Sequence, residues 1–182
     1  MKIGFVGTVS VGKTTLVNAL AELPQFKDYK IATERSKYLR DLGIPLNTDS
    51  TLKGQTVFLA ERVSELFNED LITDRTIIDV MSFTQCAKSI HQVDKISFEE
   101  YARNFINEYD YIIYVSPEGV EIEDNGIRTI DAEYRDLIDY TIQGFCHLYH
   151  SRMKHFHRIY GTTEERIQQV LKIGRASCRE RV

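Results

Sequence analysis

The chain has no run of about 18 consecutive apolar residues, so it carries no stretch of the kind that spans a bilayer as a helix. Its apolar opening, MKIGFVG, leads into a glycine-rich loop rather than to a cleavage site, which argues against a secretory leader and for a cytoplasmic location. Cysteine is scarce: Cys86, Cys146 and Cys178 form no C-x-x-C pair and no even framework of secreted type, which excludes a disulfide scaffold and leaves reduced thiols that serve packing. Basic residues are outnumbered, 23 to 27, for a formal charge of −4. No basic stripe with interleaved aromatics is visible, so neither nucleic acid nor an anionic membrane is expected as a partner.

Two further absences narrow the nucleotide chemistry. No aspartate has a glycine three residues on and no Asn-Lys pair occurs, which weakens a guanine-reading switch. The most apolar strand ends in Ser116-Pro117 rather than Asp-Glu, which makes a hexameric motor a poor fit.

The last ten residues, IGRASCRERV (Ile173 to Val182), resemble a translated sequencing-adapter read-through. One domain is expected over residues 1–172, with its natural frame cut near Lys172 and a non-native tail over 173–182. Setting aside Arg175, Arg179, Arg181 and Glu180 moves the formal charge from −4 to −6.

Short apolar runs alternate with stretches of helical period, the pattern of a parallel sheet wrapped by helices. Strands are expected at Lys2–Val6, Tyr29–Glu34, Asp70–Thr73, Tyr109–Ser116 and Phe156–Gly161. Leu16, Leu20 and Leu23 share a helix face stopped by Pro24, and a longer helix carries Val57, Ala60, Val63 and Phe67. SFEE (Ser97 to Glu100) reads as a capping box opening a helix with Phe98, Tyr101 and Phe105 inward. TTEE (Thr162 to Glu165) reads as a second such box. Between them a polar run, PEGVEIEDNGIRTIDAEYR, is a mobile-lid candidate before a helix with a stripe of Tyr134, Leu137, Ile138, Thr141, Ile142, Phe145 and Leu148.

The chemistry gathers at GTVSVGKTT, residues 7–15. It has the full G-x-x-x-x-G-K-T form between a strand and a helix: Gly7, Thr8, Ser10, Val11, Gly12, Lys13, Thr14 and Thr15 would wrap the phosphates of a nucleotide. Lys13 would reach the β and γ oxygens, and Thr14 would hold Mg²⁺. Asp74-Arg75 closes the third strand beside this loop, where Asp74 would orient Mg²⁺ and Arg75 would neutralise a transferring phosphate; a surface ion pair is the plainer alternative. Asp79 is a less favoured metal candidate. Glu34, ending the second strand, either accepts the proton of an acceptor hydroxyl or binds a substrate sugar, with a helix-start charge as the plainer alternative. Arg128 and Arg135 in and after the lid run would close over the phosphoryl group or pair with neighbouring acids. His147, His150, His155 and His157 straddle a helix end and a strand start, lack a completing ligand set, and read as ordinary packed or solvated histidines.

These residues resemble the P-loop kinase-like domain found in the ribosylnicotinamide kinase part of NadR and in related small ATP-binding proteins carrying the AAA label, many of them in bacteriophage genomes. The resemblance rests on GTVSVGKTT, TER (33–35), DRTIID (74–79) and SPEGVEIEDNGIRTIDAEYRDLID (116–139), and covers nearly all of residues 1–172. It implies that YGTTEER (160–166), with Thr162, embraces adenine. More distantly the layout is similar to thymidylate and deoxynucleoside kinases, whose roles would fall on Glu34, Asp74, Arg75 and Arg128. No H-x-G-H of an adenylyltransferase occurs, so a bifunctional NadR is not implied.

The expectation is therefore an α/β three-layer P-loop NTPase fold with a parallel sheet of about five strands, binding ATP and Mg²⁺. It would move the γ-phosphate to a nucleoside-, nucleotide- or ribosylnicotinamide-type acceptor, as a monomer or homodimer. The alternative is a nucleotide-dependent switch or slow ATPase acting through a protein partner.

Overall fold

The computed structural model describes residues 1–33, 36–118 and 132–179. Five strands, β1 (Lys2–Val6), β2 (Lys30–Ala32), β3 (Leu71–Thr73), β4 (Tyr111–Val115) and β5 (His155–Ile159), form one sheet in the order β2-β3-β1-β4-β5. Every pairing is parallel, with Ile3 beside Ile72 on one flank and Tyr111 on the other. A parallel sheet is covered on both faces, which is why β4 reads YIIYV with every residue buried.

Successive side chains point to opposite faces, so each strand feeds two cores. Ile3, Phe5, Tyr111, Ile113 and Val115 pack with Leu16, Val17 and Leu20 of α1 (Lys13–Ala21) and Val170 of α7 (Thr163–Arg179). Val6, Ile112 and Tyr114 face the larger core, built on α2 (Ser36–Asp41), α3 (Leu52–Glu65), α4 (Ile77–Cys86), α5 (Gln92–Ala102) and α6 (Ala132–Leu148). Gly4 has no room for a side chain: a Cβ there would lie 2.5 Å from Thr76 Cγ2 and 2.9 Å from the Tyr109 ring. The start of α4 can thus sit directly on β1, beside the phosphate loop.

The expected sheet is present: β1 keeps its expected bounds, the other strands differ by one or two residues at their ends, and β5 starts one residue early. Three helical details differ from expectation. In α3 Val57 and Val63 pack partly buried against the larger core, but the fully buried side is Phe58, Leu59 and Arg62, followed by Leu66, while Ala60 is exposed and Phe67 is 88% exposed. The apolar pattern misled because Gln55 and Arg62, polar residues, take core positions. The helix holding Phe98 begins at Gln92, not at Ser97, whose hydroxyl donates to Val93 O inside α5; Tyr101 is exposed. In α6, Tyr134, Ile138, Ile142 and Phe145 are buried but Leu137 and Leu148 are exposed. At the C-terminal side, α7 passes beyond Lys172 to Arg179, and Ile173 packs partly buried against the smaller core.

Candidate phosphate-binding site

The loop after β1 closes against the end of β4: a Cβ on Gly7 would stand 2.8 Å from Val115 O. Val9 and Val11 bury their side chains in the two cores, so the loop meets a ligand with its backbone. Gly12 turns the chain into α1 with φ +80°, a left-handed conformation that strains any residue with a Cβ; Ser10 also has positive φ. Helix α1 starts with no side-chain cap and no acidic residue in its first turn. Its first N–H groups are thereby left for an anion, whose charge the helix dipole favours.

Lys13 is buried, its ammonium donating to Gly7 O at 2.5 Å and Thr8 O at 2.7 Å across the loop. Thr14 Oγ1 donates to Asp74 Oδ2 at 2.6 Å, bringing the helix start and the end of β3 together. Asp74 N donates to Ala32 O, extending the β2–β3 ladder and fixing the carboxylate at the strand's carboxyl end. Asp74 and Arg75 are both buried, which does not fit the alternative of a surface ion pair. The Arg75 guanidinium lies 4.6 Å from the Phe83 ring centre, a cation–π contact with α4.

Asp79, named above as a less favoured metal ligand, has another task. Its Oδ2 accepts from Thr76 N (2.7 Å) and Thr76 Oγ1 (2.9 Å), and its Oδ1 accepts from Gly7 N (3.2 Å). It completes a capping box on α4 and ties that helix to the phosphate loop. Burial pushes its carboxyl above the ordinary aspartate value, opposed by the charges of Lys13 and Arg75 and by the N–H groups it accepts from.

Beneath the β3 end, Arg62 of α3 donates to Glu65 Oε1 at 2.5 Å, and Thr73 Oγ1 lies 3.2 Å from Glu65 Oε2 and 2.9 Å from Arg75 O. Burial pushes the Glu65 carboxyl up to about 7, although Arg62 and the Thr73 hydroxyl pull it down. On the other flank, Arg166 of α7 donates through Nη1 to Val11 O at 2.6 Å and through Nη2 to Ser116 O at 3.1 Å. Sequence reasoning passed over Arg62 and saw Arg166 only as the end of YGTTEER, since the contacts of both are made in three dimensions.

The remaining residues can be placed briefly. Thr8 Oγ1 donates to Arg135 O at 2.8 Å, joining the loop to the first turn of α6, and Arg135 Nη2 donates to Pro117 O at 3.4 Å. Thr15 is exposed at the helix start. Thr162 N donates to Glu165 Oε2 at 2.8 Å and Glu165 N to Thr162 Oγ1 at 3.3 Å, the expected capping box at the start of α7. Glu34, Arg35 and Arg128 lie outside the described residues. Cys86 and Cys146 are free thiols, and burial pushes Cys146 up to about 12. His155 and His157 stack on the Tyr111 ring, at 4.8 and 6.1 Å between centres. Among the described residues no group of three or more His, Cys, Asp or Glu is arranged for a metal, and no helix is long and apolar enough to cross a membrane. An apolar hollow of about 600 Å³, lined by Met1, Ile3, Phe26, Tyr29, Tyr111 and Val170, lies toward the opposite, amino ends of the strands. The polar convergence at the phosphate loop, rather than that hollow, marks the candidate site.

Solved structures share this arrangement. A deoxyadenosine kinase from M. mycoides with bound dCTP is 20% identical, with a TM-score of 0.70, the match covering 97% of this chain and 100% of that one. The same enzyme with bound dATP gives a TM-score of 0.65 at 20% identity over 94% and 98% of the two chains. NadR in complex with NAD and AMP-PNP is 15% identical with a TM-score of 0.65, over 90% of this chain and 46% of that one, so this chain spans under half of NadR. At such identities the likeness is one of fold: a P-loop nucleoside-kinase architecture. No curated protein matches in sequence. The family model described as AAA domain, however, matches residues 2–166, from the first strand through the phosphate loop to the arginine that braces it, and the chain belongs to that family.

Proposed function

We propose that the protein transfers the γ-phosphate of ATP to a small nucleoside-, nucleotide- or ribosylnicotinamide-type acceptor. The observation that carries this reading is the contact of Thr14 Oγ1 with Asp74 Oδ2 at 2.6 Å, at the mouth of a loop whose helix start is left open to an anion. Phosphoryl transfer needs positioning and charge neutralisation more than covalent chemistry. The fold's likeness to the deoxyadenosine kinase, a structure with bound dATP, supports the choice of acceptor class.

The Thr14 hydroxyl and Asp74 carboxylate are hard oxygen donors, and a site with few protein oxygens that leaves the rest to phosphates and water suits Mg²⁺. Held there, the ion would neutralise phosphate charge and polarise the transferring group. The chain's own residues do the rest. Lys13 exchanges the carbonyls of Gly7 and Thr8 for phosphate oxygens, which costs little because one set of acceptors replaces another. The backbone N–H groups from Gly12 to Thr15 bind the anion, with Thr8, Ser10 and Val11 shaping the loop. Arg75, held by Phe83, sets a positive charge beside the strand end. Glu34 takes the acceptor proton, Arg128 closes over the phosphoryl group, and Thr162 stands at the adenine side.

The test is ADP release from ATP with Mg²⁺ against a panel of nucleosides, deoxynucleoside monophosphates and ribosylnicotinamide, with Lys13→Ala as control. One acceptor is expected to stimulate release and to gain a phosphate, and Lys13→Ala to bring both to background. Slow release indifferent to every acceptor would replace the kinase with a nucleotide-dependent switch acting through a protein partner. Arg128→Ala is expected to lower turnover far more than ATP affinity; a loss of affinity alone would move this arginine from chemistry to binding.

A further inference from the structure

Arg166 is only 3% exposed, yet no carboxylate lies within ion-pairing distance of it among the described residues. Its acceptors are two backbone carbonyls, Val11 O and Ser116 O, and its Nε has no partner. A buried charge without a counter-charge is costly, and a guanidinium cannot shed its proton to escape that cost. Burial accordingly holds its pKa below the ordinary arginine value, with no neighbouring acid to lift it. Such a group belongs where a negative charge arrives later.

The partner carbonyl says how it acts. In a trans peptide the C=O of one residue and the N–H of the next point in opposite directions. With Val11 O turned to Arg166, the N–H of Gly12 is turned away from α7. Lys13 spans the loop to Gly7 O and Thr8 O, marking its concave side. Arg166 Nη1 also lies 3.3 Å from where a Gly12 Cβ would be, so the guanidinium covers this one peptide closely.

We propose that Arg166 is a positioning residue that locks the Val11–Gly12 peptide with its N–H facing the donor phosphate, and that the phosphate charge in turn balances the buried guanidinium. The proposal rests on the reading of the loop as a nucleotide site. Arg166 touches no substrate in this scheme: it orients and polarises the peptide that does. It also joins the turn after β5 to the phosphate loop, because the capping box of Thr162 and Glu165 sets the first turn of α7, which carries it.

The experiment compares the whole chain with Arg166→Met and Arg166→Lys, measuring the affinities of ADP and of inorganic tripolyphosphate, and the amide proton resonance of Gly12 with and without ADP. Arg166→Met is expected to weaken both ligands by a similar factor, about tenfold or more, the loss of a charge-assisted positioning bond. Arg166→Lys, whose ammonium can still donate to Val11 O, is expected to recover part of it. The Gly12 amide shift on binding should shrink in the order wild type, Lys, Met. A loss for ADP but not for tripolyphosphate would overturn the proposal by placing Arg166 against the base or ribose. Unchanged affinities in a folded Arg166→Met would overturn it by leaving the arginine a packing role. If the methionine variant does not fold, the lysine variant's affinities and Gly12 shift decide alone. No acceptor is needed for these measurements, so a failure of phosphoryl transfer leaves them standing, whereas a wild-type chain that binds neither ligand overturns both readings.

Discussion

The two flanks of the phosphate loop each bury an arginine, and they treat its charge in opposite ways. Arg62, 2% exposed, lies in a nest of acids: Glu65 Oε1 at 2.5 Å and Glu61 Oε2 at 3.9 Å. Arg166, on the α7 flank, has only carbonyl dipoles for partners among the described residues. On the first flank charge is balanced within the fold, and the Arg62–Glu65–Thr73 chain ends on Arg75 O, supporting the strand end that holds Asp74. On the second flank the balance is left to a ligand. Substitutions on the first flank should therefore act on stability, and those on the second on nucleotide affinity.

The largest stability effect is expected from Arg62→Met, which strands Glu65 in the interior. Breaking a buried pair by removing one partner costs about 3–5 kcal/mol. Urea denaturation should show the loss, larger near pH 8 than near pH 5, while Arg62→Met/Glu65→Leu should recover most of it. A single variant as stable as wild type would erase the contrast between the flanks.

Asp79→Ala should follow. It leaves Gly7 N and Thr76 N without their buried acceptor at about 1–3 kcal/mol each, about 2–6 together, and relieves the burial cost of the carboxylate itself, so a net loss of about 2–4 kcal/mol is expected in the same assay. Because Gly7 N holds the base of the loop, ADP affinity should fall as well, which makes Asp79 the point where the two flanks meet.

Glu65→Gln separates charge from hydrogen bonding on the first flank. The folded carboxyl is raised by burial from 4.5 to about 7, so the folded chain keeps a proton that the unfolded chain has released. On this group's account stability is fully present below about pH 4.5 and is lost as pH rises through about 7, by at most about 3.5 kcal/mol. Glutamine cannot titrate, so the stability slope between about pH 5 and pH 8 should flatten. A slope that survives belongs to another group and removes Glu65 as its source.

Legibility in the sequence followed the range of the interactions. The phosphate loop and the Thr162–Glu165 box are local patterns, and the five strands, whose partners lie far along the chain, were readable from their short apolar runs alone. The S-x-x-E at Ser97 has the same spacing yet is mid-helix, since a capping box needs a preceding chain that leaves the helix, and α5 already begins at Gln92. The phase of α3 was misread because Arg62 is buried by an ion pair, which an apolar pattern does not register. The place of Asp74 beside the phosphate loop was expected from strand ends alone, because parallel topology brings those ends together, while its direct bond from Thr14 was not. Arg166 stood in the sequence only as the last residue of YGTTEER, and nothing signalled its hold on the phosphate loop: its acceptors are backbone carbonyls 155 and 50 residues away, and any residue supplies a carbonyl.

The smallest effect sharpens the contrast from the second flank. Thr162→Ala removes the hydroxyl that accepts Glu165 N and leaves the reciprocal bond from Thr162 N to Glu165 Oε2 in place. An N-cap loss of this kind costs about 1 kcal/mol. The box is exposed, so the fold should lose little more than that in urea denaturation. Arg166 is one residue beyond Glu165, however, and its own N–H donates to Thr162 O in the first turn of α7. Fraying of that turn loosens the guanidinium that holds Val11 O. ADP affinity should therefore fall by a small factor, about two- to fivefold, in the same direction as for Arg166→Met and by less. The double variant Thr162→Ala/Arg166→Met should bind ADP no more weakly than Arg166→Met alone, because both changes then act through one peptide. Strict additivity would mean that Thr162 reaches the nucleotide by a route of its own, as an adenine contact would.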